Sequence, residues 1–416
     1  MAERLVLDPA RLRELFDLRS QVYAHQGGAF EEDPYPAFHR LRASGPVHEG
    51  TPGRLIGFTG DEFFQGLPFP ERRHFSAFDF ESCDHIVRHP EIFSSSSLMP
   101  GETASLADSS MLTMDGDQHR RYRALVQPSF VPGRAKWWIE QWIDTTVAGL
   151  IDGFEANGAA DLNVEFCAAI PLLTICGSFG VTVEQALDIR AAVTSQGRGI
   201  QEFMGIVAPI VAARREEPAD DLISVLVRSE LAEDGETHVL SDADVLGFAF
   251  LLLAAGSGTT WKQMGITLAA LLAQPEWLDR ARQEPDVLRA AIEESTRWNA
   301  TDPAFGRFVV RDTELAGLPI PAGAVVHQVL GAANRDPARW DDPDSYDPGR
   351  PVRTHLAFGN GPHICLGMHV ARAEMVTAIG ALLRRLPNLR TDPDAPPTKI
   401  IGMYERGPDT VPVLWG

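Results

Sequence analysis

The pattern of apolar and polar positions along the chain predicts a mostly helical protein. From Arg134 to about Gln274 the apolar residues recur at helical spacing. Between about residues 45 and 90, short aromatic and β-branched pieces alternate with turn residues, which predicts a small sheet. Strand-like pieces return at Arg307–Val310 and Ala324–Leu330, and a final helix is expected from Met368 to Leu386. The predicted fold class is mainly α with minor β.

One helix is marked by its first residues. Ser241 and Asp244, three positions later, form the pattern of a capping box, and the apolar periodicity runs on to about Ala273. At 1.5 Å per residue this helix is about 50 Å long, enough to cross the protein. Its middle is apolar nearly all round, which predicts burial. Gly256 and Gly258 inside it cost roughly 1 kcal/mol each relative to alanine and indicate a groove or kink that serves a function.

Composition and charge narrow the class of protein. The 416 residues are 44% hydrophobic and 23% charged, which is typical of a globular chain with a sizeable core. A net charge of -20 argues against a non-specific nucleic-acid binder. The longest strongly apolar run, Val245–Ala255, is shorter than the roughly 20 residues that span a bilayer, and the first residues do not resemble a signal peptide. We expect a soluble cytoplasmic protein without a membrane span.

The chain shows no internal repeat and no low-complexity linker. We therefore expect residues 1–416 to form one large domain. Its β-rich part should lie at about 45–90 and 305–330, and its helical core at about 134–300 and 366–386. No fused reductase domain is expected.

One of the four cysteines lies in a setting suited to a metal-bound thiolate. The segment Phe-Gly-Asn-Gly-Pro-His-Ile-Cys-Leu-Gly, residues 358–367, leads directly into the final predicted helix. Cys365 is therefore near a helix N-terminus, where the dipole and the free N–H groups favour an anion. Gly361 and Gly367 would let the backbone turn tightly and approach a flat macrocycle, and Phe358 would shield the sulfur.

Taken alone, this loop has other interpretations. A plain buried cysteine in a glycine-rich loop is about as probable as a ligand. A zinc site built from His363, Cys365 and His369 lacks a convincing fourth ligand. However, the order Phe-x-x-Gly-x-His-x-Cys-x-Gly resembles the haem-binding signature of the cytochrome P450 superfamily at every fixed position. The resemblance implies the fold of that superfamily, with haem b between the long central helix and the Cys365 loop, and Cys365 as axial ligand.

Further motifs resemble the same superfamily in the same order. Glu294-Ser-Thr-Arg297 is similar to its Glu-x-x-Arg motif, and Arg350 resembles the third member of a buried network. On its own, such a pair on a helix is more often an exposed ion pair of small energy. Haem propionates need cationic partners, and four residues resemble the family positions that supply them, although each alone is more often a locally satisfied side chain: His119, Arg123, Arg307 and His363.

The resemblance also covers the middle of the long helix, Ala255-Gly-Ser-Gly-Thr-Thr260. Gly256 and Thr259 match the family pattern, in which the helix opens over the iron and a threonine hydroxyl lies beside the bound oxygen. The match fails at Gly258, because the family has an acid there that is thought to relay protons. Ser257, Thr260 and water are the available substitutes.

By resemblance the substrate pocket should be apolar, and its lining should come from several distant segments. The same residues equally suit a plain core. They are Leu98, Met99, Met204, Phe248, Leu252, Ala255, Phe305 and Met403.

The resemblance implies a monooxygenase that inserts one atom of O2 into an apolar small molecule such as a terpenoid, steroid, fatty acyl chain or aromatic compound. Electrons should come from NAD(P)H through a separate ferredoxin or flavodoxin, docked on a monomeric enzyme. Gly258 leaves open a peroxide-using or non-monooxygenase haem-thiolate enzyme, and a non-catalytic haem sensor is a further alternative. The expected docking patch, for which a charged surface helix is the competing interpretation, comprises Arg120, Arg121, Arg134 and Lys136.

Overall fold

The structure is a computed structural model that describes residues 7–19, 30–60, 62, 69, 71–96, 111–194, 199–233 and 236–416. Most of its regular secondary structure is helical. The α-helices are α1 (Pro9–Phe16), α2 (Tyr35–Ser44), α3 (Pro52–Leu55), α4 (Phe80–Arg88), α5 (Gly116–Val126), α6 (Ala135–Trp138), α7 (Asp144–Phe154), α8 (Ala169–Gly177), α9 (Val183–Thr194), α10 (Gly199–Glu216), α11 (Leu222–Val227), α12 (Asp242–Leu272), α13 (Pro275–Gln283), α14 (Pro285–Trp298), α15 (Leu330–Ala333) and α16 (Met368–Arg385).

The strands are short, and the largest sheet contains five of them. They are β1 (Val47–Glu49), β2 (His74–Ala77), β3 (Phe93–Ser94), β4 (Ala159–Asp161), β5 (Glu230–Glu233), β6 (Glu236–Val239), β7 (Phe305–Val309), β8 (Thr313–Leu315), β9 (Leu318–Ile320), β10 (Val325–Gln328), β11 (Arg390–Thr391), β12 (Ile400–Ile401), β13 (Gly407–Pro408) and β14 (Pro412–Leu414). The five-stranded sheet has the order β1-β2-β10-β7-β3, and only β2 and β10 pair in parallel. The remaining strands form the sheets β11-β14-β4, β12-β13, β5-β6 and β8-β9.

The helix α12 begins as the sequence predicts. Ser241 is its N-cap, and the capping box with Asp244 is present in both directions. Along its length α12 packs against α8, α10, α14 and α16, and its ends are buried in the main apolar cluster. Its middle differs from the prediction: Ala254 and Ala255 are exposed, and Gly256 to Thr259 are half-buried. Periodicity detects an apolar face but not an internal space beside it, so the prediction of full burial was wrong here.

Among the helices in the described ranges, α12 is also the one that is long and apolar enough to cross a bilayer, a property that core helices share. The apolar part of α12 is therefore longer than the run Val245–Ala255. Cytoplasmic localisation stays a prediction.

The predicted elements are found with small shifts of their ends. The helix expected over 241–273 spans Asp242–Leu272, and the last one spans Met368–Arg385. Strands appear in the region 45–90 and at β7 and β10, all in the five-stranded sheet. The region 134–300 is mostly helical but also holds β4, β5 and β6. The fold class, mainly α with minor β, is confirmed, whereas the single-domain layout of residues 1–416 stays a prediction.

Candidate active site

The loop that carries Cys365 is fixed by hydrogen bonds at both ends. The N–H of Cys365 donates to the carbonyl oxygen of Phe358 at 2.8 Å. Asn360 caps the short turn Gly361–His363, and its amide donates to the Oδ1 atom of Asp84 at 2.7 Å. Because Asp84 belongs to α4, the loop is anchored to that helix and presents Cys365 just before α16.

The two loop glycines differ in what they require. Gly361 has a φ of +66°, and a Cβ atom there would lie 2.5 Å from the carbonyl oxygen of Val87. Only glycine fits such a conformation and contact without a shift of backbone. Gly367, the N-cap of α16, has a φ of -81°, which any residue adopts, and no atom lies within 4 Å of a Cβ built on it. The chain does turn at Leu366 and Gly367, but the turn does not require glycine.

Cys365 is exposed, in contrast to the buried Cys83, Cys167 and Cys176. Burial nevertheless raises the pKa of its thiol, and the N–H of Gly367 and the charge of Arg123 oppose that rise only in part. A side chain that is both accessible and surrounded by protein borders an internal space. The N–H group of Gly367 does not offset this effect of burial, and the charge of a bound metal ion would favour the thiolate.

Two predicted propionate partners form a histidine pair. The ring centroids of His119 and His363 are 4.0 Å apart, and His119 is 3% exposed. Burial, with the charges of His363 and Arg123, lowers the pKa of His119 to about 4. The Nε2 atom of His363 lies 3.2 Å from Oδ1 of Asp115. His363 is thereby oriented by a carboxylate.

Sequence reasoning missed Asp115, although it directly precedes α5 and is four residues before His119. Burial acts to raise its pKa, but hydrogen bonds from His363 and Ser94 outweigh burial, so the pKa is lowered. The available signal was the position of an acid at a helix N-terminus, which by itself predicts only a cap. In the structure Asp115 makes no such cap bond and faces the histidine pair instead.

The two arginines of the predicted set reach the same region. Burial lowers the pKa of Arg123, and the thiol of Cys365 opposes this. Burial lowers the pKa of Arg307 to about 10, and Asp115 opposes this. Neither Arg123 nor Arg307 forms an ion pair with a carboxylate within the described part of the chain. Two half-buried guanidinium groups without carboxylate partners in the described part of the chain suit a ligand that carries two anionic groups.

This donor set fits a haem group. Cys365 offers an accessible sulfur at the start of a helix. His119, a hydrogen-bonding ring, and the cations Arg123 and Arg307 lie close enough to interact with Cys365 or with Asp115. Across the fold, Ala255 on α12 exposes a small side chain. A flat apolar group with two carboxylates needs such a combination of one soft ligand, cationic partners and small residues.

The residues on α12 are arranged as follows. The hydroxyl of Thr259 donates to the carbonyl oxygen of Ala255 at 2.9 Å, and the side chain is half-buried. Gly256 leaves room, because a Cβ there would come no closer than 3.8 Å to Ile175. Ser257 is half-buried, whereas Thr260 is 6% exposed. The helix runs unbroken through both glycines. Gly256 leaves space beside the helix, whereas the ion pair of Glu405 and Lys262 lies against Gly258.

Glu294, Arg297 and Arg350 come together in a buried network. Arg297 donates to both carboxylate oxygens of Glu294, at 2.8 and 2.6 Å, and Nε of Arg350 donates to Oε1 at 3.2 Å. Arg297 also donates to the carbonyl oxygens of Asn334 and Pro343, each at 2.9 Å. The network joins α14 to the segment that precedes the Cys365 loop, so it is not the exposed helix pair that the motif alone suggested.

Behind the Cys365 loop lies a second ion pair that the sequence did not indicate. Arg372 of α16 stacks its guanidinium over the Phe358 ring at 4.6 Å and donates to Glu293. Burial acts to raise the pKa of Glu293, but hydrogen bonds from His355 and Arg372 lower it to about 2. Phe358 is thus held from two sides near Cys365.

The predicted pocket residues divide into two groups. Ala255 is exposed, and Met204 and Phe305 are half-buried, so these three have surface available to a ligand. The structure buries Phe248, Leu252 and Met403 in apolar clusters, with exposures of 0%, 6% and 4%, so their place in the pocket stays a prediction. Leu98 and Met99 lie outside the described residues.

The predicted docking residues form only a weak positive patch. They are Arg120, Arg121, Arg134 and Lys136. Arg120 pairs with Asp117 at 2.5 Å and Lys136 with Glu140 at 3.4 Å, so two of the four charges have nearby acids. Arg134 stacks over the ring of Trp137 at 4.2 Å.

Comparison with known proteins agrees with this geometry. A family model described as Cytochrome P450 matches residues 196–403. The chain is 31% identical over 404 residues to cytochrome P450 monooxygenase PikC of Streptomyces venezuelae, a match that covers 94% of this chain and 92% of that protein. It is 30% identical over 384 residues to 6-deoxyerythronolide B hydroxylase of Saccharopolyspora erythraea, which covers 89% of this chain and 93% of that protein.

Among solved structures, CYP109E1 from Bacillus megaterium in complex with testosterone is similar to this chain with a TM-score of 0.79 and 25% sequence identity. The superposition covers 92% of this chain and 100% of that chain. Its extent shows that the likeness includes both the helical part and the sheet.

Proposed function

This chain belongs to the cytochrome P450 family of haem-thiolate monooxygenases, and on that premise we propose that it inserts one atom of O2 into a C–H or C=C bond of an apolar small molecule. The observation that carries the proposal is the accessible thiol of Cys365, placed at a helix N-terminus and near the half-buried guanidinium group of Arg123. A structural cysteine would be buried like the other three.

In this proposal the sulfur of Cys365 would bind the iron of haem b. The propionates would be bound by His119, Arg123, Arg307 and His363. Thiolate ligation supplies electron density to haem iron, which favours O–O cleavage. Phe358, held by Arg372, keeps water from the sulfur. Asp115 orients His363 and limits the positive charge that collects there.

On the other side, α12 orients oxygen and substrate. Thr259 places its hydroxyl in the groove beside Gly256, where it can pass a proton. The accessible surface of Ala255, Met204 and Phe305 is apolar, so we propose a terpenoid, steroid, fatty acyl or aromatic substrate. Testosterone, bound in the similar Bacillus megaterium structure, is a suitable first probe.

For the electron supply we propose a separate ferredoxin or flavodoxin reduced by NAD(P)H. Its docking patch is the weak positive surface of Arg120, Arg121, Arg134 and Lys136 on an otherwise acidic chain. Reversal of Arg134 and Lys136 to glutamate should weaken partner binding and reduce its dependence on salt, without any change in substrate binding. If the variant and wild type bind the partner with equal affinity and equal salt dependence, these residues are not the docking patch.

A second candidate function rests on one observation, the glycine at position 258. An enzyme without a proton-donating acid on α12 could be driven by peroxide, which carries its own protons. Product formation with an electron donor and O2, compared with product formation with hydrogen peroxide, separates the two functions. Turnover by peroxide alone would favour the second.

The test of the proposal is the absorption spectrum of the reduced protein with carbon monoxide, recorded after expression with a haem supply. Wild type should show the red-shifted band of thiolate ligation, and Cys365→Ala should lose it. Cys176→Ala is the matched control, because Cys176 is buried in the core and should leave the band in place. Retention of the band in Cys365→Ala would refute the assignment. Apolar compounds are then screened by the change in iron spin state.

A further inference from the structure

A buried ion pair lies against the backbone of Gly258. The Nζ atom of Lys262, one turn further along α12, donates to Oε1 of Glu405. A Cβ atom on Gly258 would lie 3.2 Å from that Oε1 and 3.5 Å from that Nζ. The carboxylate of Glu405 therefore occupies the space where a side chain at position 258 would begin. Lys262 is 2% exposed, so the pair is largely hidden from solvent.

Glu405 is held there by its neighbours. The N–H of Arg406 donates to the carbonyl oxygen of Thr301 at 2.6 Å. Thr301 in turn donates its N–H to Oε1 of Gln263 at 3.1 Å, and its hydroxyl lies 3.5 Å from the carbonyl oxygen of Thr259. The segment that carries Glu405 is thus tied to the same turn of α12 that carries Thr259.

Gly407 makes this approach possible. A Cβ atom there would lie 2.8 Å from Cγ of Lys262, closer than side chains pack. The stem of Lys262 therefore passes directly over the backbone after Glu405, which aims its ammonium at the carboxylate. A larger residue at 407 would push the two partners apart.

A second carboxyl group, Asp302, completes the cluster. Its Oδ1 atom is buried and has no hydrogen-bond partner within the described part of the chain. Burial raises the pKa of Asp302 to about 7, the charge of Glu405 adds to the rise, and Lys262 opposes it. From the facing α9, Arg190 interacts with Glu405. Near neutral pH, Asp302 is therefore a carboxyl group that both holds and gives up a proton.

The proposed reaction needs such a group. Oxygen insertion follows RH + O2 + 2 electrons + 2 protons → ROH + H2O, so each turnover brings two protons into a site walled by apolar residues. A general acid works best when its pKa is close to the operating pH. We propose that Glu405, positioned by Lys262, passes these protons to the Thr259 side of the site, and that Asp302 replenishes them. The inference rests on the proposed monooxygenase function and supplies the acid that α12 lacks.

The variants Glu405→Gln and Asp302→Asn test the cluster in the haem-loaded enzyme. Electron-driven turnover of each should fall by about tenfold or more, the scale of a lost general acid. Peroxide-driven turnover should stay unchanged, because RH + H2O2 → ROH + H2O takes up no protons. The carbon monoxide spectrum checks that each variant still holds haem. Equal electron-driven rates in wild type and Glu405→Gln would overturn the proposal.

A rescue makes the test specific to position. Glu405→Ala vacates the space beside Gly258, and Gly258→Asp added to that variant places a carboxylate next to Lys262 from α12 itself and should restore electron-driven turnover. The matched control is Glu62→Gln, which removes a carboxylate that accepts a hydrogen bond from Tyr404 in the same loop. This control should leave turnover as in wild type. A rate loss in Glu62→Gln as large as in Glu405→Gln, or no rescue, would show a structural role only.

Infrared difference spectroscopy on wild type needs neither turnover nor a stable variant. A protonated carboxyl C=O band should titrate with a midpoint near pH 7, the pKa of Asp302. Absence of that band would overturn the role of Asp302 even where Asp302→Asn fails to fold. If wild type makes product with peroxide alone, the monooxygenase function fails instead, and the infrared result still reports on the cluster.

Discussion

His74 and His327 lie on neighbouring parallel strands, with Nδ1 of His74 2.9 Å from Nε2 of His327 and ring planes 10° apart. The other nitrogen of His74 is 3.0 Å from the carbonyl oxygen of Phe69, to which it can only donate. In the neutral pair, His74 therefore accepts through Nδ1 and His327 donates. Burial, with the nearby His74, lowers the pKa of His327 to about 3.

This pair should make stability depend on pH. The unfolded chain binds a proton at His327 below pH about 6.5, whereas the folded chain binds one only near pH 3. The contribution of His327 to the free energy of unfolding is therefore fully present above pH 6.5 and is lost as the pH falls from 6.5 to 3. The contribution of this residue is at most about 5 kcal/mol. Urea unfolding of His327→Gln should show a smaller loss over this window than wild type. His89→Gln, at an exposed histidine, is the control, and parallel profiles for all three would contradict the prediction.

Arg297→Lys should destabilise the protein by about 3–5 kcal/mol, because lysine cannot replace the two-pronged contact with Glu294 and leaves backbone acceptors unpaired. The control on the same helix is Arg289→Lys, whose pair with Asp286 is exposed. It should cost less than about 0.5 kcal/mol. Denaturant unfolding measures both. Similar losses in the two variants would show that the network at Glu294 is not a special stabilising feature.

Gly361→Ala should reduce haem incorporation. The added Cβ would collide with the carbonyl oxygen of Val87, so the Cys365 loop must move away from α4. Haem content per protein, measured after reconstitution, should fall, and the thiolate band with it. Gly153→Ala meets no atom within 4 Å and should keep haem while gaining about 0.5–1 kcal/mol in stability. Full haem content in Gly361→Ala would place the loop further from α4 than described.

Ala255→Leu and Phe248→Leu should separate pocket from core on one helix. Extra volume at the exposed Ala255 should raise the Kd for the tightest compound of an apolar panel about tenfold, with little change in stability. Phe248 is fully buried against Tyr122. Phe248→Leu should therefore lower the free energy of unfolding by about 1–2 kcal/mol and leave that Kd unchanged. Spin-state titrations and urea unfolding report the two effects. The opposite assignment of effects would mean that Phe248 lines the pocket.

The features of the fold and of the site that depend on residues close together in sequence were predictable. The capping box at Ser241 predicted the start of α12 correctly. The glycine-rich segment before Cys365 indicated the ligand loop, because all the residues that shape this loop lie within ten positions of the sequence. The spacing of Glu294 and Arg297 predicted their ion pair but not its burial. The burial depends on a distant segment, whose carbonyl oxygens at Asn334 and Pro343 accept hydrogen bonds from Arg297.

The features that the sequence did not reveal depend on contacts between distant residues. Nothing near Gly258 indicates that Glu405 fills its place, and nothing near Asp115 indicates that it orients His363. The sequence does not rank the pocket residues for the same reason: Phe248 and Ala255 are both apolar positions of one helix, and only the packing around α12 decides which of them is accessible.

The strand order β1-β2-β10-β7-β3 has a consequence for synthesis on the ribosome. His74 of β2 pairs with Val325 of β10, so β2 is made about 250 residues before its central partner. At typical translation rates that interval is on the order of tens of seconds. During it, one side of the nascent hairpin β1-β2 stays an open edge, to which other growing chains can add.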